Sequence, residues 1–99
     1  MALYGLSGVR LDEAGRILRA RLQQADGATS SWIGSPFECE ALQVAKMIVM
    51  GDAVYAVFIV LGRTALGPKF RPVVYPSGVE GIELEAETPG RSARDLLLF

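Results

Sequence analysis

The sequence predicts a single small α+β domain of order ββαβββ, with one main helix packed on one face of an antiparallel or mixed sheet. Three observations predict this class. Residues 35–50 have apolar side chains at helical spacing, residues 53–61 form a β-branched apolar run, and shorter alternating segments with turn residues lie on both sides. A chain of 99 residues is long enough for one modest hydrophobic core.

Residues 3–24 allow two interpretations, a hairpin or a helix over residues 12–25. In the hairpin, Leu11 pairs with Arg16, and Gly15 supplies the positive φ that such turns need. In the helix, Asp12 is the N-cap, and Gly15 costs about 1 kcal/mol. Because apolar and polar residues alternate coherently on both strands, we expect the hairpin. Its register places on one face Val9, Leu11, Leu18, Ala20 and Leu22.

Residues 35–50 have a helix-start signature. Ser35 and Glu38 have the spacing of a capping box, and Pro36 falls at the first helical position, where its missing N–H is harmless. Gly51 is placed to end the helix in a left-handed conformation. We expect Cys39 to lie in the first turn as a small buried residue, and Trp32, in the preceding connection, to cover the start of the helix beside Phe37. A ligand-stacking role is the alternative for Trp32.

Residues 53–61 are predicted to form a central strand that is covered on both faces. A membrane span is not expected, because Lys46 and Asp52 interrupt the apolar run and each would cost roughly 2.5–3.5 kcal/mol near a bilayer centre. Residues 62–69 are expected to form a glycine-flanked loop, an ordinary connector or an anion site that uses Arg63 and Lys69. The P-loop pattern is not matched there, because Pro68 follows the second glycine.

Residues 70–75 and 79–85 are predicted to pair as a second hairpin. Pairing residue 75 with residue 79 places Arg71 opposite Glu83 and Lys69 opposite Glu85, and two such opposite-charge pairs support the register. The shared apolar face is Phe70, Val74, Ile82 and Leu84. The acidic side chains of this region are expected to form a solvated, ion-paired face.

The chain changes character after Glu87, where Thr88, Pro89 and Gly90 form a break, and we divide it into a domain over residues 1–88 and a tail over residues 89–99. The tail ends in four apolar residues, which we predict to be an interface: Leu96, Leu97, Leu98 and Phe99. They would pack into the parent domain, be buried in a dimer, or bind another partner.

The composition excludes several kinds of chemistry. Histidine is absent, which removes Ser-His and Cys-His nucleophiles and all His-ligated metal sites. A single cysteine allows no intramolecular disulfide, which fits a reducing compartment, and the N-terminus has no signal-peptide pattern. We therefore expect a cytoplasmic, non-enzymatic protein without a cofactor or metal.

The hydrophobic fraction of 51% is high and predicts some apolar surface used for association. We expect a non-catalytic binding or assembly module that forms a homo-oligomer or binds a protein partner. The alternative is a small regulatory nucleic-acid-binding protein that contacts a polyanion with Arg10, Arg19 and Arg21 on the outer face of the first hairpin. The net charge of −1 does not favour that alternative.

Overall fold

Strands dominate the computed structural model, which describes residues 2–29, 31–87 and 90–99. The elements in chain order are β1 (Leu3–Leu11), β2 (Ile17–Asp26), β3 (Ser31–Glu40), α1 (Ala41–Val49), β4 (Ala53–Val60), β5 (Arg63–Val74), β6 (Glu80–Leu84), a 3₁₀ turn (Ala93–Asp95) and β7 (Leu97–Leu98). The predicted α+β class is confirmed. The predicted order ββαβββ is present, with β3 added before the helix and the short β7 added at the end.

The strands form one curled mixed sheet in the order β3-β2-β1-β4-β5-β6, and β7 pairs separately with β1. The β1–β4 and β1–β7 pairs are parallel, and the other pairs are antiparallel. Helix α1 packs inside the curl, mainly against β5 and β6. In the described part of the chain, no helix has the length and hydropathy needed to cross a bilayer. The largest fully buried side chains are Phe58, Leu6, Leu22, Ile82, Val9, Val44 and Val54.

The first hairpin is confirmed, but its predicted register is wrong. Leu11 pairs with Ile17 instead of Arg16, and irregularities interrupt the β1–β2 ladder between Leu6 and Gly8 and between Arg10 and Leu11. A bulge moves the following side chains to the opposite face. As a result Ile17 is buried, whereas Leu18, which was predicted to face the core, is 48% exposed.

The predicted helix start is also wrong, because residues 35–40 belong to β3. The helix begins at Ala41, and its N-cap Glu40 makes no side-chain capping bond. Pairing with β2 outweighs the local capping signature, because the β2–β3 ladder places Phe37 opposite Leu22, on the core face of the sheet.

The helix end agrees with the prediction. Gly51 has φ +107°, and its N–H donates to the Ile48 carbonyl while the Asp52 N–H donates to the Met47 carbonyl, which is a Schellman motif.

Strand β4 is central only in its first half. Its residues Ala53 to Ala56 pair with β1, and beyond them β4 continues with β5 as a two-stranded arm. The predicted loop over residues 62–69 is wrong, because β5 begins at Arg63. The connection is instead a two-residue turn at Leu61 and Gly62, which lies between the paired residues Val60 and Arg63.

The β5–β6 hairpin has the predicted register, with Arg71 opposite Glu83 and Phe70 opposite Leu84. The Arg71 Nη2 to Glu83 Oε2 distance is 3.7 Å. Phe70, Ile82 and Leu84 are buried as expected, but Val74 is 70% exposed near the end of the ladder. The predicted domain boundary at residues 88 and 89 lies outside the described residues.

Candidate binding face

The sheet has a core face and an open face. Side chains opposite one another in a ladder share a face, so the register assigns each residue to one of them. Leu6, Val9, Ala20 and Leu22 lie on the core face and are fully buried. The side chains on the other face form a surface that we call the open face: Leu3, Gly5, Gly8, Arg10, Arg19, Arg21, Gln23, Ala25, Trp32, Glu38, Glu40, Ala53, Tyr55, Val57, Ile59, Thr64, Leu66, Lys69, Leu97 and Phe99.

Two glycines of β1 make room for aromatic rings at the centre of the open face. A Cβ atom on Gly5 would lie 2.5 Å from Cη2 of Trp32 and 2.8 Å from Cγ2 of Val57. A Cβ atom on Gly8 would lie 3.3 Å from Cδ1 of Phe99. Both rings therefore approach the strand backbone more closely than a side chain at these positions would allow. Trp32 nevertheless remains 49% exposed, so its ring forms part of the surface.

The placement of Trp32 differs from the prediction. Trp32 lies on β3 opposite Ala25 of β2, and its ring extends over Gly5 on the open face. The ring that meets Phe37 is that of Tyr4, in an edge-to-face contact with centroids 6.0 Å apart. The expected cover over the helix start is therefore wrong.

The β4–β5 arm extends the apolar surface beyond Trp32. Val57 lies opposite Leu66 in the ladder, and Ile59 follows on the same face. Ile59 is 55% exposed and Leu66 is 72% exposed. At the tip, Leu61 is 98% exposed and has φ +52°, the only positive φ outside glycine among the described residues. A leucine with no contacts in a strained turn contributes nothing to the stability of the monomer.

The three predicted arginines lie together at one corner of the open face. Arg10 lies opposite Arg19, and Arg21 lies opposite Gly8. Acidic residues of β3 stand beside them: Glu38 accepts from Arg21 at 2.7 Å, and Glu40 lies opposite Arg19. The corner therefore contains charges of both signs.

The tail residues occupy different environments. Leu96 is buried at 4% exposure, whereas Leu97 and Leu98 are 54% and 61% exposed. The Phe99 N–H donates to the Val9 carbonyl at 3.1 Å. The Phe99 ring lies near two guanidinium groups, with centroid-to-Cζ distances of 4.9 Å to Arg21 and 5.6 Å to Arg10.

The suggested anion site is not assembled. Arg63 and Lys69 lie six residues apart in β5, which separates their backbones by about 20 Å. Lys69 instead places its Nζ 5.6 Å from the centroid of the Tyr55 ring.

Cys39 lies on β3 and not in the helix, and it packs partly against the core. Burial is the main cause that raises the pKa of its thiol above the usual value; the charge of Arg19 lowers this pKa in part, and Glu40 raises it further. A neutral thiol is a poor nucleophile. Across the described ranges, no three Cys, Asp or Glu side chains converge as metal ligands.

A second apolar surface lies on the opposite side of the molecule. It is a groove of about 520 Å³ between the end of α1 and the β5–β6 hairpin, and its lining includes Val49, Met50 and Val74. Val49 is 73% exposed. This groove is a competing docking surface, and Val49 provides a matched comparison for Leu66.

Comparison of the chain with models of protein families, with curated proteins and with solved structures found no match. Sequence reasoning placed the three arginines on one face but missed the apolar centre, because Trp32, Val57 and Leu66 are brought together only by the pairing of five strands.

Proposed function

We propose that this protein is a non-catalytic assembly module that self-associates through the open face. The observation that supports the proposal is that the exposed apolar side chains of Trp32, Ile59 and Leu66 share the side of the sheet opposite to α1. An antiparallel sheet with a solvated face normally presents polar residues there. Exposed contiguous apolar surface is typical of protein–protein interfaces, with aromatic anchors enriched at their centres.

The partner we propose is a second copy of the chain. In a two-fold arrangement each patch meets itself, so a self-complementary patch needs both charge signs. The open face meets this requirement, because Arg19 and Arg21 lie beside Glu38 and Glu40. A net charge of −1 opposes close approach of two copies only weakly. With one cysteine and no disulfide within the chain, we also propose a reducing compartment such as the cytoplasm.

The free edge of β3 is a less suitable route to association. Gly34 has φ +69°, and the register between β2 and β3 shifts at this point. Pro36 lacks the N–H that a further strand would use. Such interruptions are a common protection against pairing at the edges of sheets. We therefore favour packing of the face over addition of a strand to β3.

The test compares two matched variants by light scattering at several protein concentrations. Leu66→Lys places a charge on the open face, and Val49→Lys makes the same kind of change at equal exposure on the opposite groove. We expect the full-length protein to be dimeric, Leu66→Lys to weaken the dimer about tenfold or more, and Val49→Lys to leave it unchanged. A dimer weakened only by Val49→Lys would assign the interface to the groove instead.

A second candidate function is polyanion binding, because Arg10, Arg19 and Trp32 share the open face. Bases of single-stranded nucleic acid stack on such exposed rings while cations contact the backbone. The ion pair of Arg21 with Glu38 and the bond of Arg10 to the Phe99 carbonyl weigh against it. Binding of a labelled oligonucleotide that falls steeply with salt and is lost in Arg19→Ala would support this function.

A further inference from the structure

Strand β1 has a short binding edge for an extended chain. On this edge, β4 pairs with β1 only as far as Leu6, and then β4 leaves with β5 to form the arm. The vacated length is taken by β7, where Gly8 lies opposite Leu97 and Val9 lies opposite Leu98 in parallel register. The backbone groups of β1 that β4 does not reach are thus partly satisfied by a strand of two residues.

The side chains at this edge select a particular segment. Leu96 fills the core at one end, and the ring of Phe99 lies over Gly8 at the other. Nε of Arg10 donates to the Phe99 carbonyl at 2.9 Å, so both the ring and the backbone of this residue are held. The edge therefore holds a leucine and, three residues later, an aromatic residue.

We propose that this edge takes the tail of a second copy, so that two chains exchange the segment Leu96, Leu97, Leu98 and Phe99. The exchange rests on the proposed self-association of the protein, and it specifies one set of contacts between the two copies. Identical interactions form within one chain or between two, so exchange requires no new surface. The 11 residues between β6 and the exchanged segment, residues 85–95, can span at most about 40 Å when fully extended, which equals the 40 Å longest dimension of the molecule. The tail can therefore reach a neighbour whose open face lies against it.

The exposure of Leu97 fits the open-face dimer in which the exchange takes place. Leu97 and Leu98 remain more than half exposed when the tail folds on its own chain. In a dimer through the open face, Leu97 lies at the junction of the two copies, because it shares that face with Gly8. Burial of such side chains is the main source of association energy.

The test mixes two full-length variants. One variant is defective in the β1 edge, and the other is defective in the tail that binds to this edge. Gly8→Val blocks the edge but leaves the tail intact, and Phe99→Ala weakens the tail but leaves the edge intact. Only the mixture contains an intact tail and an intact edge on different chains. Native mass spectrometry separates the species by mass. We expect each variant alone to dimerise about tenfold or more weakly than the wild type, and the mixture to form mainly the heterodimer.

The outcomes separate the exchange from the self-association on which it rests. The exchange would be overturned if the wild type is dimeric, each variant also dimerises alone, and the mixture contains the heterodimer only in the proportion expected from random pairing. That result would still agree with the open-face dimer. A wild type that is monomeric at every concentration would overturn both. Circular dichroism melting verifies that each variant folds. If Gly8→Val does not fold, Gly8→Ala replaces it, with Gly27→Ala as the matched control, since a Cβ atom on Gly27 would meet only the Leu3 side chain within 4 Å.

Discussion

A substitution at the tip of the β4–β5 arm is expected to raise the stability of the monomer while it weakens the dimer. Leu61 has φ +52° and Gly62 has φ +77°, which are the signs that a two-residue turn of type I′ requires at its central positions. A left-handed backbone costs an ordinary L-residue roughly 1–2 kcal/mol, whereas asparagine tolerates it. Leu61 is 98% exposed, so its removal sacrifices no buried area.

We therefore expect Leu61→Asn to stabilise the monomer by about 0.5–1 kcal/mol, which raises Tm by about 2–8 °C for a domain of this size. The measurement is thermal and urea unfolding at concentrations where the protein is monomeric, because association stabilises the folded state by mass action. The same change should weaken the dimer if the tip packs on the second copy, as light scattering would detect.

Leu66→Thr is the matched control. It removes an exposed apolar side chain from the same arm at a position without a positive φ, and threonine retains the strand preference. We expect it to weaken the dimer without raising the stability of the monomer. A Leu61→Asn variant that is less stable than the wild type would refute the reasoning, because it would mean that Leu61 makes contacts that stabilise the single chain.

Three further predictions concern single sites. Gly5→Ala should destabilise the fold by about 1–3 kcal/mol, because the new Cβ overlaps Trp32 and Val57, and a shift of the emission of the only tryptophan should accompany the loss in unfolding experiments. Gly51→Ala should cost about 1 kcal/mol in urea unfolding, because the helix end requires a positive φ; no change in stability would count against the Schellman motif. The thiol of Cys39 should react more slowly with an alkylating reagent than a free cysteine at the same pH, because burial raises its pKa. The pKa of the Cys39 thiol is higher in the folded protein than in the unfolded chain. The contribution of this thiol to the free energy of unfolding is therefore fully present below the pKa of the unfolded chain, and it is lost as the pH rises through the pKa of the folded protein.

The sequence predicted those features that depend on local chemistry or on alternation within one hairpin. The β5–β6 register followed from pairing Tyr75 with Val79 across the turn and was supported by the opposite charges of Arg71 and Glu83, and the helix end followed from Gly51. The β-branched run over residues 53–61 identified β4 as the strand beside the core. In each case the signal lies within a few residues of the feature that it specifies.

The errors arose where long-range pairing competes with a local signature. The spacing of Ser35 and Glu38 predicts a helix start, yet the ladder with β2 holds Glu38 in β3, where its side chain pairs with Arg21. A bulge at Leu18 placed Ile17 instead of Leu18 on the core face, and bulges leave no clear trace in a single sequence.

The open face as a whole was beyond sequence reasoning for a different reason. Trp32 and Leu66 lie 34 positions apart in the chain and on opposite sides of β1 in the sheet. Their proximity depends on the parallel β1–β4 pair, which no turn chemistry specifies. The arginines of one hairpin could be placed on a common face, because they lie in adjacent strands joined by a short turn.

The most direct test of self-association through the open face is light scattering of the full-length protein, Leu66→Lys and Val49→Lys over a range of concentrations. Self-association through the open face predicts a dimeric wild type, a Leu66→Lys variant that is monomeric under the same conditions, and a dimeric Val49→Lys variant. A wild type that is monomeric throughout, or a Leu66→Lys variant as dimeric as the wild type, would contradict it.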